Sequence, residues 1–342
     1  MSVRRLRDTA LQIAAALARP VLGGLGCIIT LHRVVPEKER SLLPSNRALE
    51  ITPEDLRAML TYVRERGLEV ISLDELPGRL ANPRGPRFVC FTFDDGYRDN
   101  ATLALPIFRE FGMPFAVNVT NRFIEGTASV WWYFIEDALS TAVHPLQFSW
   151  QGAEHRFAAA TPAESDRALE KIASLIRSLG SQRDELLWVI GEAAGIDPCA
   201  VTRSLCMDWE ELHRFAADPL VTIGAHTAGH HCLNRLTDPE IATEVAIARQ
   251  ELATRIGREV RHFAYPFGGP NAVDEREFAL VRQSGFSTML TTRAGNLTRT
   301  HAAQVDRLPR LTISGNYPVL KVLRLAESGL VAWREQRRGR AR

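Results

Sequence analysis

Short apolar runs recur along the chain at intervals that a helix can fill. They lie at 27–31, 69–72, 88–93, 115–119, 220–223, 262–265, 288–292 and 310–313. Runs of this length, rich in β-branched and aromatic residues, read as buried strands. Helix signals stand between them. Thr52, Pro53 and Asp55 supply the N-cap, the first-turn proline and the N3 acid of a helix ending near Gly67. A second helix is expected over 101–111. Thr237 and Glu240 form a capping box that opens a helix to Ile256, with Gly257 just past its end. A further helix is expected over 274–284. This strand–helix alternation predicts a parallel sheet or barrel, whose functional residues gather at the C-terminal strand ends.

One stretch breaks the rhythm. Between Trp131 and Met207 the pattern gives two helix-like segments, 164–179 and 183–194, separated by Gly180. We read about 134–207 as a mainly helical insertion between strands. Asp208 and Glu211 then form the cap and first turn of the helix that leads into the next strand. At the N-terminus, Leu6, Ala10, Ile13, Ala14 and Leu17 fall at helical spacing, which predicts a short amphipathic helix within 1–24. Ala16-Leu17-Ala18 mimics a signal-peptidase site. However, Asp8 and Gln12 interrupt the apolar run and Arg19-Pro20 end it, which argues against a cleaved leader or a membrane span. One barrel domain over 25–320 and a basic helix or tail over 321–342 complete the expected organisation.

Two strand ends carry chemistry. The first is FTFDDGYRDN over 91–100, where Asp94, Asp95 and Gly96 follow the apolar run. Neighbouring strand residues point to opposite sides, so one carboxylate can bind a metal while the other takes a proton. Taken alone, a turn with a capping Asp explains the same residues. The second is LVTIGAHTAGHHCL over 220–233, where His226 and His230 are four apart and His231 is adjacent. Three of nine histidines in so short a stretch are hard to explain as structural residues. One Asp with two His gives three protein ligands and an open position, as in a catalytic zinc site.

Composition changes this picture little. The chain has 342 residues, 45% of them hydrophobic, enough for a large core. Its 42 basic and 40 acidic residues leave a net charge of +2, which gives no case for nucleic acid. Basic residues do gather at the ends, as Arg4, Arg5 and Arg7 and as Arg334, Arg337, Arg338, Arg340 and Arg342. Peripheral contact with an anionic membrane surface is the functional alternative to solvated tails. Five cysteines without paired spacing point to a reducing compartment, and with no convincing leader a cytoplasmic location is expected, membrane association being the open alternative. Cys232 lies close enough to His230 to be considered as a ligand, but packing is the simpler role.

TFDDG, His226-Thr-x-x-His230 and FAYPFG over 263–268 together resemble the motifs of polysaccharide deacetylases, the carbohydrate esterase family 4 or NodB-homology group. The resemblance covers about 27–313. It implies a distorted, incomplete β/α barrel of about seven strands and metal-dependent removal of N-acetyl groups from a glycan. Carried over by motif, Asp94 is the catalytic base, and Asp95, His226 and His230 hold one divalent ion, zinc by their chemistry. Phe267 supplies an oxyanion-binding amide. Two family features are missing. The base-orienting Arg of the third motif is replaced by Ala264, and the late Leu-x-His by Leu308-Pro309-Arg310. A branch with poly-N-acetylglucosamine deacetylases carries a His after its first strand, which Leu31-His32-Arg33 resembles, so His32 is the expected acid. Such an acid should have a pKa near the working pH, or above it beside a carboxylate. Arg310 is the candidate to orient the base. Trp131, Trp132, Tyr265 and Arg310 are the candidate substrate contacts. A non-sugar amidase and a glycan-binding pseudoenzyme are the alternative readings.

Overall fold

A computed structural model describes residues 3–141 and 145–340. The side chains of Arg4, Arg5, Arg7, Arg338 and Arg340, and all of Arg342, lie outside that description. Seven parallel strands follow the chain around a barrel: β1 (Gly26–Leu31), β2 (Phe88–Asp95), β3 (Phe115–Val119), β4 (Val221–Ala225), β5 (His262–Ala264), β6 (Thr288–Ala294) and β7 (Leu308–Thr312). Each strand pairs with the next. Six registered pairs from Gly26↔Phe88 to Leu31↔Phe93 join β1 to β2, and Ile29↔Leu311 and Thr30↔Thr312 join β7 back to β1. The barrel is therefore closed, with one strand fewer than the complete eightfold barrel. It is distorted where the pairing thins: β4 and β5 share only Ala225↔Phe263. The short strand Glu69–Val70 adds to the first residues of β2.

Strand parity sorts the side chains. Val89, Phe91 and Phe93 point outward into the core shared with the helices, where Phe108 stacks on Phe115 at 4.2 Å between ring centres. Ile28, Cys90, Ala116, Ala264, Leu290 and Leu308 point inward and form a separate apolar floor. Above that floor the same inward parity carries Thr30, Thr92, Asp94, Asn118 and Arg310, all buried. The barrel interior thus turns from apolar to polar towards its C-terminal mouth.

The predicted helices are present and end where their caps require. Thr52 and Asp55 form a capping box on Pro53–Glu65, and Asp208 and Glu211 form another on Trp209–Ala216. Asp238–Ile256 starts at the Thr237–Glu240 box and stops at Gly257, whose φ is 70°. The expected helix over 101–111 opens instead with a π-helical turn, Asn100–Ala104, before Leu105–Phe111.

Between β3 and β4 the insertion builds its own core over the barrel mouth, from helices Trp131–Thr141, Pro162–Ser178, Arg183–Ala194 and Ala200–Leu205. It also contains an antiparallel hairpin, Leu146–Trp150 with Ala153–Phe157, absent from the sequence expectation. Its signal was the alternation of Leu146, Phe148 and Trp150 with polar residues before a two-residue turn, Gln151-Gly152.

The two termini close the opposite end. Helix Val3–Leu22 packs against Val319–Glu327 and Leu330–Arg340. Glu327, 1% exposed, binds Arg19 at 2.6 Å, Arg87 at 3.0 Å and the Tyr62 hydroxyl at 3.0 Å. Ile13, Leu17 and Val21 form an exposed stripe on the first helix. Among the described residues no helix is long and apolar enough to cross a membrane. Glu327→Ala would leave two arginines without their buried partner, so it should destabilise the fold by about 3–5 kcal/mol. Urea denaturation measures this, and an unchanged midpoint would reject the role given to Glu327.

Candidate active site

β2 ends in a division between its two acids. Asp94 keeps the inward parity and meets Arg310, which reaches it from β7 with two parallel hydrogen bonds, Nη1 to Oδ1 at 2.8 Å and Nη2 to Oδ2 at 2.7 Å. Asn118 on β3 donates a third bond to Oδ1, also at 2.8 Å. Burial alone would raise the Asp94 pKa, but Arg310 and then His226 overcome it and hold the carboxyl well below its usual range. The close approach of Asn118 explains Gly224: a Cβ there would stand 2.3 Å from Asn118 Oδ1.

Asp95 leaves the strand with φ 79°, a left-handed conformation that non-glycine residues rarely adopt. The turn aims its carboxylate at the His loop after β4. Asp95 Oδ1 lies 3.6 Å from His226 Nε2 and 3.4 Å from His230 Nε2. One ligand atom from each of the three residues falls within 4.8 Å of the others, and all three side chains are buried. Asp95 Oδ1 has no hydrogen-bond partner. Burial and then the charge of Asp94 raise the Asp95 pKa well above normal. Burial lowers both imidazoles, leaving them neutral, the state that binds metals. His226 places its Nδ1 2.7 Å from the Ala264 carbonyl, which fixes the proton there and leaves Nε2 as an acceptor. An unpartnered buried carboxylate oxygen facing two neutral imidazole nitrogens fits a divalent cation.

The His loop is strained and held from outside. Thr227 and His230 have φ 61° and 58°. Arg183, 3% exposed and on an insertion helix, donates to the carbonyls of His230 at 2.7 Å and Gly229 at 2.9 Å. Glu244 accepts from the Gly229 amide at 2.7 Å. Phe123, Trp132 and Phe267 surround the His230 ring at 5.5, 5.3 and 4.9 Å between centres. His231 turns away towards Glu244, and Cys232 Sγ donates to Asn234, so neither joins the ligand group.

A cavity of about 460 Å³ opens over these residues. His32, Asp94, Asp95, Trp131, Trp132, His226, His230 and Phe267 all line it. Phe267 has φ 61°, and its carbonyl is engaged by the Thr292 hydroxyl. Trp131 and Trp132 line it although they are only 3% and 8% exposed. Trp132 is fixed by a 3.0 Å bond from Nε1 to the Tyr97 hydroxyl.

Three expectations are corrected. Tyr265 does not contact the cavity: outward parity buries it against Phe263 and Phe278, with its hydroxyl donating to the Asp306 carbonyl at 2.9 Å. Arg310 is not a substrate contact either. It is 0% exposed and its guanidinium is spent on Asp94, Thr92 and the Thr291 carbonyl, the base-orienting place also considered for it. The His32 pKa is neither near neutrality nor raised. Burial pushes it down to about 4, the pull of Asp94 being insufficient against burial, Arg310 and His226. Asn118, Tyr97 and Arg183 were not anticipated. Of these, Asn118 alone left a sequence signal, as the polar residue at inward parity in an otherwise apolar strand.

The sequence model described as "Polysaccharide deacetylase" matches residues 81–288, well over half of the chain. The chain belongs to the polysaccharide deacetylase family. The match includes Asp94, Asp95, His226, His230 and Phe267, while His32 and Arg310 lie outside it. No curated protein matches the chain. Among solved structures it is similar to a Streptococcus pyogenes deacetylase, PplD, in complex with acetate, at 15% identity and TM-score 0.56 over 87% of this chain and 96% of that one. It is also similar to IcaB from Ammonifex degensii, at 18% identity and TM-score 0.54 over 89% and 96%. A third similar structure is a de-N-acetylase from Aggregatibacter actinomycetemcomitans, at 13% identity and TM-score 0.51 over 85% and 95%. At these identities the likeness is one of fold, and the fold is that of the deacetylase barrel.

Arg183 generates a prediction. If it shapes the His loop and the loop holds a divalent ion, Arg183→Ala should weaken binding of that ion by about 10–100-fold, the usual effect of losing a group that orients ligands. Competition with a chromophoric chelator measures this without turnover. Unaltered affinity in a folded variant would show that the loop holds its shape unaided.

Proposed function

We propose that this polysaccharide deacetylase is a metal-dependent hydrolase that removes N-acetyl groups from N-acetylhexosamine units of a polysaccharide, oligosaccharide or lipid-linked glycan. The observation that carries this reading is the convergence of Asp95, His226 and His230 beside a second carboxylate held ionised by Arg310. A divalent ion bound there, zinc by the donor set, would supply Lewis acidity towards water and the acetamide carbonyl.

The chain's own groups do the rest. Asp94 accepts the proton that water releases as its oxygen attacks the carbonyl carbon. Arg310 and Asn118 keep that carboxylate in place. The Phe267 amide donates to the carbonyl oxygen as negative charge gathers on it. The C–N bond then breaks, the amine nitrogen takes up a proton, and acetate is released. His32 is neutral before the reaction, so its part is to pass on the proton taken up by Asp94. Both residues line the same cavity, and each acts electrostatically on the other.

The cavity, about 460 Å³, is in the range of small-ligand sites, and Trp131 and Trp132 in its lining give a sugar ring an apolar wall. Five free cysteines support a reducing compartment, and the exposed Ile13, Leu17 and Val21 support peripheral contact with a membrane surface.

Asp94→Asn should keep its metal and lose about 10²–10⁴-fold in turnover, as expected for a general base. Asp95→Asn should instead lose the metal. Elemental analysis and acetate release from N-acetylglucosamine oligosaccharides read both, and equal metal loss in the two variants would refute the division. His32→Ala should slow an acetamide far more than an activated acetyl ester, whose leaving group needs little protonation. Equal slowing of both substrates would remove His32 from the proton path.

A further inference from the structure

A second cavity, of about 530 Å³, adjoins the first and shares Arg177 and Phe267 with it. Three segments of the barrel mouth form it: the end of insertion helix Pro162–Ser178, the turn Leu233–Arg235 after the His loop, and the loop that follows Phe267. Its charge is one-sided. Arg177 and Arg235 both line it, and among the described residues no Asp or Glu does. Elsewhere the exposed arginines are commonly paired, as Arg57 is with Glu110, Arg276 with Asp238 and Arg282 with Asp306. Among the described residues neither Arg177 nor Arg235 has a carboxylate partner or a side-chain hydrogen bond. Arg177 rests on the face of Trp131, 5.9 Å from its ring centre, which places it between the two cavities.

The two guanidiniums act on a common space. Both line the one cavity, with Cys232 in its wall between the helix end and the turn. The helix end at Ser178 brings only about half an elementary negative charge, less than the two positive charges facing it. Ser174, Ser178 and Asn271 add polar groups to the lining.

We propose that this second cavity binds an anionic group, phosphate or carboxylate, carried by the glycan beside the unit whose acetamide is cut. The inference rests on the deacetylase reading and narrows its substrate to a charged glycan. Fork-like guanidiniums suit both anions.

Calorimetry with three probes tests it: a neutral N-acetylglucosamine pentasaccharide, the same pentasaccharide with a terminal phosphate, and an equally long oligosaccharide alternating N-acetylglucosamine with glucuronate. At low salt at least one anionic probe should bind about tenfold more tightly than the neutral one, the scale of one or two charge-assisted hydrogen bonds. The preference should fade at high salt and vanish in Arg177→Gln/Arg235→Gln. Whichever anionic probe is preferred identifies the source of the charge. Equal binding of all three probes, no measurable binding of either anionic probe, or a preference that survives in a folded double variant would overturn the proposal. Acetate release from each of the three probes, measured in parallel, judges the deacetylase reading separately. Release without anionic preference sinks only the second cavity, and preference without release from any probe sinks only the reaction.

Discussion

The site depends on one buried ion pair. Arg310 and Asp94 face each other inside the barrel, 0% and 2% exposed. Desolvating two charges is costly, and the pair is tolerable only because its hydrogen bonds are satisfied. Arg310 uses Asp94 and Thr92 on β2 and the Thr291 carbonyl on β6, while standing on β7 itself. Three strands are thereby tied across the interior above the apolar floor. The pair also decides what each acid of the Asp-Asp sequence can do. Asp94 has both oxygens committed to the guanidinium and stays ionised. Asp95 receives no such partner, and its Oδ1 is left facing the imidazoles.

Backbone strain gathers around the same point. Among the described residues, four of the five non-glycine residues with positive φ (Asp95, Thr227, His230 and Phe267) belong to the cavity or its His loop; the fifth, Gln151, sits in the hairpin turn. Each such residue costs on the order of 1–3 kcal/mol and persists only where its surroundings over-determine it. Here the surroundings are identifiable: Arg183 and Glu244 on the His loop, and Thr292 on Phe267. The left-handed turns at Asp95 and His230 accompany the convergence of one ligand atom from each on a common centre.

Much of this was legible in the sequence, and the rest failed for definite reasons. Capping boxes and apolar runs located the elements because they are local signals. The Asp-Asp and His-x-x-x-His sequences pointed to the site because strand ends in a parallel barrel share one rim. Strand parity was legible but unused. Cys90, Thr92 and Asp94 are small or polar where Phe91 and Phe93 are bulky, which separates the inner from the outer face of β2. The same count puts Arg310 inside with Leu308, and Tyr265 outside with Phe263, and it would have prevented both misplacements. The depressed His32 pKa and the reach of Arg183 were not legible, because both depend on which distant segments cover the mouth.

Those segments belong mostly to the insertion, and they divide the labour of the molecule. The barrel supplies the groups that converge on the Asp95 centre, on strand ends whose relative positions the closed sheet fixes. The insertion supplies Trp132 against His230, Arg183 beneath the His loop, and Arg177 at the junction of the two cavities. Each of these residues acts on the site from a helix anchored in a separate core. Changes in the insertion can therefore alter the walls and charge of the cleft while the ion pair below stays intact. The exception is Arg183, whose two hydrogen bonds bind the insertion's own position to the geometry of the His loop. Through it the covering layer becomes part of the centre that it covers.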